Sequence, residues 1–506
     1  MTYKLVGVIA YLLVLVGIGI VASRRMKSIK DYFAAGKQLG FLSVAFSARA
    51  TGESAWLLIG LTGMGAAIGA KAFWVVVGEV IGVVVAWTFM ARRFKRLTDR
   101  YDSLTIPDYL ESRFQDHGHW IRICAAFALT FFVTVYVSAQ IDATGKAFED
   151  FLGWNYYTGM VVGFAVVVAY ITTGGFLAVA WSDVFQGSLM FLGLVALPVA
   201  AIYGLGGMDV LWSRLGDIDS ALVAVHGGMG WTPQGIAEVV GLALIGLGFM
   251  GSPQIFVRFI ALKDENEIPK GAWVAFVWTL LADSGAVLIG MAGRVLLGGD
   301  TGDMSLFGGS EAVLPALVEF TFPALLVGLY VAIVLSAIMS TVDSLLVLAA
   351  SAAVRDWYQK VKNPQLADES LLSLSRKVTF LLALAGLCIA LAVAITTPER
   401  TVFWFVIFGW SGISATFCPV MILSLFWSGL TRNGVLAGMG AGFCGVPLFK
   451  FVAPHIPGIG TFFESLTELP PSFTLSFMTA VTVSMLWPAS PEVRLEAKTA
   501  LDEAKA

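Results

Sequence analysis

The stretch Ser47-Ala-Arg-Ala-Thr-Gly-Glu-Ser-Ala-Trp56 decides the fold, because it places polar residues in the middle of a long apolar segment. That segment covers residues 39–67, and a membrane-spanning helix needs roughly 20 apolar residues. Inside a bilayer, an open backbone is tolerated only where protein or a filled cavity covers it. The Thr51-Gly52 pair, with the charges of Arg49 and Glu53, therefore predicts a membrane helix that is broken at mid-depth.

The two charges in this stretch have a functional and a structural interpretation. Charged groups inside a membrane usually mark an ion or substrate path, and a broken helix offers free N–H and C=O groups to ions. Alternatively, Arg49 and Glu53 form a purely structural pair one helical turn apart. Such a pair leaves the adjacent Gly52 unexplained.

Composition fixes the broad class. Of 506 residues, 58% are hydrophobic and 13% are charged, whereas soluble domains have about 25% charged residues. The chain is therefore expected to be a polytopic membrane protein. The net charge of −3 and the absence of a basic block argue against a nucleic-acid partner. The four cysteines form no CxxC pattern and predict neither a disulfide scaffold nor a metal site.

Hydropathy predicts about thirteen spans. They cover residues 3–22, 39–67, 73–92, 120–146, 157–178, 182–205, 236–260, 272–296, 325–346, 378–395, 402–427, 435–452 and 473–487. Basic residues crowd the loops after the first and third spans; they are Arg24, Arg25, Lys27, Lys30, Lys37, Arg92, Arg93, Lys95 and Arg96. By the positive-inside rule these loops are cytoplasmic, which puts the N-terminus outside and the C-terminus inside. The expected location is the plasma (cytoplasmic) membrane.

A second interrupted helix follows five spans after the first, in the opposite direction. It contains Gly246, Gly248 and Gly251-Ser-Pro253, and proline cannot donate a helical hydrogen bond. Two broken helices of opposite polarity predict an inverted five-plus-five repeat, although glycines also serve as packing surfaces in membrane helices. The expected divisions are residues 1–38 (first span and basic loop), 39–205 (first repeat), 206–234 (extracellular loop), 235–428 (second repeat), 429–490 (two further spans) and 491–506 (tail).

From about Ser28 to Arg432 the chain resembles the sodium/solute symporter family. The most specific match is Tyr170-Ile-Thr-Thr-Gly-Gly-Phe-Leu-Ala-Val-Ala-Trp-Ser-Asp-Val-Phe-Gln186. Further matches are Ser103–Tyr109, Leu335–Thr341, Trp410-Ser-Gly412 with Pro419, and Thr431-Arg-Asn-Gly434. The resemblance implies an all-α, leucine-transporter-type fold with extra flanking helices. It implies sodium-driven uptake of a small organic solute, and no enzymatic activity.

The resemblance also implies a sodium site between the first broken helix and span nine. Its ligands would be the carbonyls of Ala50 and Glu53, with Ala337, Ser340 and Thr341 on span nine. Sodium is a hard cation, and exposed carbonyls with two hydroxyls supply the oxygen ligands that it prefers. Alternatively, the two hydroxyls bond back to their own helix.

The substrate pocket implied by the family's proline carriers has nine positions here. They are Thr51, Gly52, Ser54, Tyr136, Ile245, Phe249, Gly251, Ser252 and Pro253. The proline carriers have tryptophan in place of Ile245, tyrosine in place of Phe249 and aspartate in place of Gly52. Because such polar contacts determine specificity, the expected substrate is a small amino acid such as proline, or a related carboxylate.

A second cation site is expected near Asp183 and Asp343, with Ser340 and Ser344 on the same helix face as Asp343. Some members of the family bind an additional sodium at the aspartate that matches Asp183. Two carboxylates that share a site repel unless a cation or a proton lies between them. Alternatively, Asp183 caps its helix and Asp343 is solvated.

Two rival functions fit the same sequence. One is a proton-coupled carrier in which Glu53 or Asp283 titrates; the other is a non-transporting solute sensor, for which no signalling domain is evident. The expected partners are the solute, sodium and the lipid bilayer, with no soluble protein partner evident.

Overall fold

The computed structural model describes residues 2–24, 35–171, 175–366 and 368–505, and within these ranges the chain is all-α. The helices of the first half are α1 (Thr2–Ser23), α2 (Phe41–Gly52), α3 (Thr62–Ile68), α4 (Phe73–Val85), α5 (Ala91–Arg100), α6 (Ile106–Arg113), α7 (Trp120–Leu152), α8 (Tyr156–Ile171), α9 (Gly175–Leu205) and α10 (Met208–Ile218). Those of the second half are α11 (Pro233–Ala243), α12 (Pro253–Ala261), α13 (Ile268–Leu297), α14 (Val313–Thr321), α15 (Ala324–Ser351), α16 (Asp368–Thr396), α17 (Val402–Phe426), α18 (Arg432–Pro447), α19 (Gly460–Leu466), α20 (Leu469–Leu486) and α21 (Pro491–Lys505).

The membrane-spanning content agrees with the sequence prediction. Among the described residues, eleven helical segments are long and apolar enough to cross a bilayer. One of them, Trp56–Arg100, is interrupted at Gly69, which has a φ of 57°, so that it holds the second half of one predicted span and the whole of the next. The shorter apolar helix α8 matches another predicted span. Trp56–Arg100 therefore counts toward two predicted spans, and α8 supplies one more. The eleven segments together with α8 thus account for the thirteen predicted spans.

Several predicted boundaries are wrong. Helices α9, α15 and α16 extend beyond predicted spans six, nine and ten. Residues 176–178 were assigned to the end of span five, but they belong to α9, which begins at Gly175. The run 176–181 contains no helix breaker, so it continues the helix that follows it. Span four was expected to end at residue 146, but α7 continues to Leu152 and ends at Gly153, whose φ is 64°. In its last two turns, Lys146 pairs with Glu311 at 3.0 Å.

Both predicted interruptions are present. Helix α2 ends at Gly52, and helical structure resumes at Trp56 with a short π-helical segment that leads into α3. The second break follows α11, which passes into a 3-10 segment (Leu244–Phe249) before α12 begins. At this break Gly251 has a φ of 144°, a conformation that side chains strongly disfavour. Residues 25–34 and 172–174, which include part of the first basic loop and Thr172-Thr173-Gly174 of the family match, lie outside the described residues.

Buried ion pairs hold the short helix α6 against the bundle. Thr105 caps it by accepting a hydrogen bond from the backbone N–H of Asp108 at 3.1 Å. The Asp108 carboxylate pairs with Arg122 at 2.8 Å and with Arg355 at 2.6 Å. Burial alone would raise the pKa of Asp108, but the Arg355 and Arg122 guanidiniums hold it below its usual range.

The second interrupted segment makes a close backbone contact with α4. A Cβ atom at Gly78 would lie 1.7 Å from the carbonyl oxygen of Ala243, and one at Gly246 would lie 2.0 Å from the carbonyl oxygen of Gly78. Neither neighbour is the end of a flexible side chain, so the backbones themselves must separate to admit a methyl group. Glycine is therefore required at both positions to hold α4 against the second break.

We expect Gly78→Ala and Gly246→Ala each to destabilise the purified protein by about 1–3 kcal/mol, the usual cost of overpacking. The matched control is Gly440→Ala, because Gly440 also lies inside a membrane helix but a Cβ there meets nothing within 4 Å. Thermal unfolding in detergent measures the difference. Equal melting temperatures for Gly78→Ala and Gly440→Ala would contradict the close contact.

Candidate functional site

The first break lies against α15, whose hydroxyl groups bind its carbonyls. Ser340 Oγ donates to the carbonyl of Ala50 at 2.9 Å, and Thr341 Oγ1 donates to the carbonyl of Thr51 at 3.1 Å. Both hydroxyls also lie within hydrogen-bond distance of the Ala337 carbonyl, at 3.2 and 3.1 Å. The structure thus brings together four of the five residues expected to hold sodium, and the fifth, Glu53, follows directly at the end of α2.

The next turn of the break faces α7. Ser54 Oγ lies 3.4 Å from the hydroxyl of Tyr136, and it accepts a hydrogen bond from Gln140 Nε2 at 3.1 Å. The same Gln140 accepts from the backbone N–H of Ala55 at 3.1 Å. This glutamine therefore satisfies open backbone in the break. Its role was not predicted from the sequence. A polar residue one helical turn after Tyr136 was the available signal.

Aromatic rings cover the second break. The rings of Phe249 and Trp410 are 4.9 Å apart, and the Trp410 indole donates to the carbonyl of Ile245 at 3.1 Å. A Cβ atom at Gly52 would lie 2.7 Å from the Phe249 ring, so Gly52 lets the two breaks approach each other. Trp410 belongs to a family motif but was not placed in the expected pocket. The remaining positions, Gly251, Ser252 and Pro253, are buried at the start of α12, where Ser252 Oγ lies 3.5 Å from Ser414 Oγ.

An arginine of the chain lies where a second cation was expected. The Arg258 guanidinium bonds Asp183 Oδ2 at 3.2 Å and Ser344 Oγ at 2.6 Å, and its Nε donates to Ser47 Oγ at 2.9 Å. Ser47 in turn donates to Asp183 Oδ2 at 2.6 Å. The positive charge next to Asp183 therefore comes from α12. The sequence offers no signal that pairs Arg258 with Asp183.

Asp343 is buried on the same helix as Ser344. Its side chain is 1% exposed and that of Asp183 is 0% exposed, so the alternative in which Asp343 is solvated is wrong. Neither carboxylate oxygen of Asp343 has a hydrogen-bond partner among the described residues. The structure does not join Asp343 directly to the Arg258 network by a hydrogen bond.

Arg49 sits at the centre of a buried charged cluster. It contacts the Glu53 carboxylate one turn away, and its Nη2 lies 3.3 Å from Glu79 Oε2 on α4. Its guanidinium also lies over the Phe249 ring, 4.6 Å from the centroid. The sequence anticipated the pairing with Glu53, while Glu79 was not selected because nothing in the sequence brings α4 to this depth.

These features define a class of protein. A helix that is broken at mid-depth, with its free carbonyls bound by hydroxyls of a facing helix, is the arrangement in which secondary transporters bind solutes and ions. The chain belongs to the sodium:solute symporter family, whose model matches residues 32–442. It is therefore a multi-pass membrane transporter that couples sodium to the symport of a small solute, and it is not an enzyme.

Characterised relatives cover nearly the whole chain. The chain is 33% identical over 470 residues to the high-affinity proline transporter PutP of Bacillus subtilis, which covers 93% of this chain and 95% of that protein. It is 31% identical over 464 residues to the sodium/proline symporter of Escherichia coli, with 89% and 88% covered. Both matches extend across the two breaks.

Solved structures confirm the leucine-transporter-type fold. A sodium-coupled sialic acid symporter, solved in a substrate-bound outward-open state, aligns with a TM-score of 0.80, 16% identity and coverage of 96% of this chain and 98% of that one. MhsT, solved in complex with L-phenylalanine, aligns with a TM-score of 0.55, 16% identity and coverage of 87% and 98%.

Because Arg49 serves two carboxylates, we expect Arg49→Met to be the most damaging single change in this cluster. It would leave Glu53 and Glu79 buried without their cation, which costs about 3–5 kcal/mol when one partner of a buried pair is lost. Glu53→Gln should be milder, since Arg49 keeps Glu79. The yield of monodisperse protein and its melting temperature show which variant is less stable.

The double variant Arg49→Met plus Glu53→Gln serves as the control for pairing. It should recover part of the stability lost in Arg49→Met. A double variant no more stable than Arg49→Met would show that Glu53 is not the partner.

Proposed function

We propose that this transporter takes up proline or a closely similar small amino acid, together with sodium bound between the α2 break and α15. The transporter would lie in the plasma membrane with its N-terminus outside and its C-terminus in the cytoplasm. The basic loops after the first and third spans support that orientation.

One observation carries the sodium assignment: the hydroxyls of Ser340 and Thr341 reach carbonyls of Ala50 and Thr51 across two helices. A hydroxyl can rotate its hydrogen away from the site and present a lone pair. Carbonyl and hydroxyl oxygens that now bond each other would then all face a sodium ion. The ion would replace two hydrogen bonds by direct ligation and hold α15 to the break.

We expect Thr341→Ala to raise the sodium concentration for half-maximal uptake by about tenfold, which corresponds to about 1.4 kcal/mol of lost ligation. Thr279→Ala is the matched control, because Thr279 is equally buried and its hydroxyl bonds only the Ala275 carbonyl of its own helix. Uptake into proteoliposomes, measured against external sodium at saturating solute, gives both values.

An unchanged sodium dependence in Thr341→Ala, with normal expression, would remove α15 from the sodium site. A comparable rise in Thr279→Ala would show that the effect reflects general loosening of the bundle.

The pocket chemistry supports a small amino acid. Ile245, Phe249 and Trp410 give one wall of apolar and aromatic surface, which suits an aliphatic ring. Ser54 and Tyr136 supply polar hydroxyl groups at the first break. Helix α12 begins within this pocket, and the partial positive charge at a helix N-terminus favours a carboxylate. The proline carriers among the relatives point to proline as the first substrate to test.

We expect an inward sodium gradient at constant pH to drive concentrative uptake of radiolabelled proline into proteoliposomes. A panel of unlabelled amino acids and short carboxylates, tested as competitors, ranks the substrates. Failure of proline to enter or compete, with competition by another solute, would contradict the substrate while leaving symport intact. Uptake driven by a proton gradient without sodium would instead favour the proton-coupled rival.

A further inference from the structure

The charged cluster around Arg49 contains more negative than positive charge. Three carboxylates, on Glu53, Glu79 and Asp283, each offer an oxygen within 4.8 Å of the other two, and all three residues are buried. They come from the first break, from α4 and from the middle of α13. Among the described residues, the cation that pairs with these carboxylates is Arg49, so three ionised carboxylates would exceed the positive charge by two.

Asp283 is the member of the cluster that lacks a cationic partner. Among the described residues, no ion pair within 4 Å reaches it, and neither of its carboxylate oxygens receives a hydrogen bond from a donor group. Its side chain is 0% exposed. An ionised carboxylate buried without a partner is costly enough that native proteins avoid it.

The proximity of Glu79 to Asp283 makes a partner for the Asp283 carboxylate more necessary. The two carboxyl groups face each other across α4 and α13, with oxygens within 4.8 Å of each other, and two ionised carboxylates have no proton to share. Such a pair repels unless a cation lies between its oxygens or one group becomes neutral. Arg49 does not fill this role, because its ion pairs within 4 Å are with Glu53 and with Glu79.

We propose that a second sodium ion binds among the carboxylates of Glu53, Glu79 and Asp283. Sodium is similar in size to calcium, whose bonds to oxygen are about 2.4 Å long. Two oxygens on opposite sides of such an ion therefore lie about 4.8 Å apart. The three carboxylate oxygens, which lie within 4.8 Å of one another, are therefore close enough to share such an ion. The ion halves the uncompensated charge and gives Asp283 a partner.

This inference rests on the proposed function, since it adds a second ion to a sodium-coupled cycle. Both sites meet at Glu53, whose backbone belongs to the first expected site and whose side chain belongs to the cluster. Occupation of the cluster would fix the end of α2 and thereby favour ligation at Ala50. The two ions would then bind cooperatively.

Equilibrium binding of 22Na⁺ to the purified full-length protein in nanodiscs tests the proposal. The wild type should bind two ions, and Asp283→Asn should bind one, with a Hill coefficient that falls to about one. Thr341→Ala should still bind two ions at saturating sodium, but one of them about tenfold more weakly than the wild type does, since it weakens the other site. Asp303→Asn, at an exposed loop aspartate, is the control and should bind two.

The outcomes separate the two assignments. A wild type that binds a single ion, or Asp283→Asn that still binds two, overturns the cluster site. Loss of an ion in Asp183→Asn with none lost in Asp283→Asn also overturns it. Wild-type affinity for both ions in Thr341→Ala would instead contradict the proposed site on α15. If Asp283→Asn fails to fold, Glu79→Gln is measured in its place, and the wild-type stoichiometry still decides.

Discussion

The structure depends on how an open stretch of backbone is satisfied in the middle of a membrane. Water cannot supply the missing hydrogen bonds there, so other parts of the chain must do so. Two hydroxyls of α15 bind carbonyls at the end of α2, and Gln140 binds the N–H group that follows. The break is therefore stable only while α7 and α15 are packed against it. A movement of either helix changes the groups that an ion or a solute would meet.

Buried arginines provide a second constraint on the same region. Arg258 reaches from α12 to Asp183, and Arg49 joins the end of α2 to Glu79 on α4. Each pair connects a broken helix to an unbroken one, and each is almost wholly excluded from solvent. Because loss of one partner leaves a buried charge uncompensated, these contacts fix the position of both breaks. The Arg49 cluster retains an excess of carboxylate, which is why it can accept a cation.

Much of this architecture could be predicted from the sequence, because its signals are local. The lengths of the hydrophobic runs predicted the spans, and Gly251-Ser-Pro253 predicted the second break. The site was predicted only where one segment carries the information, as in the Arg49–Glu53 contact. Glu79 and Gln140 were not selected, because their role arises from helices that meet only in three dimensions. The start of α9 was misplaced since an apolar run without a breaker fits either neighbouring helix.

The central claim is that sodium joins the α2 break to α15. Hydrogen exchange of the purified protein, followed by mass spectrometry in sodium and in potassium at equal ionic strength, tests it most directly. The account predicts that sodium slows exchange both around residues 50–53 and around residues 337–341, with α20 unaffected as an internal reference. Equal exchange of both segments in the two salts, for a protein whose uptake requires sodium, would contradict it.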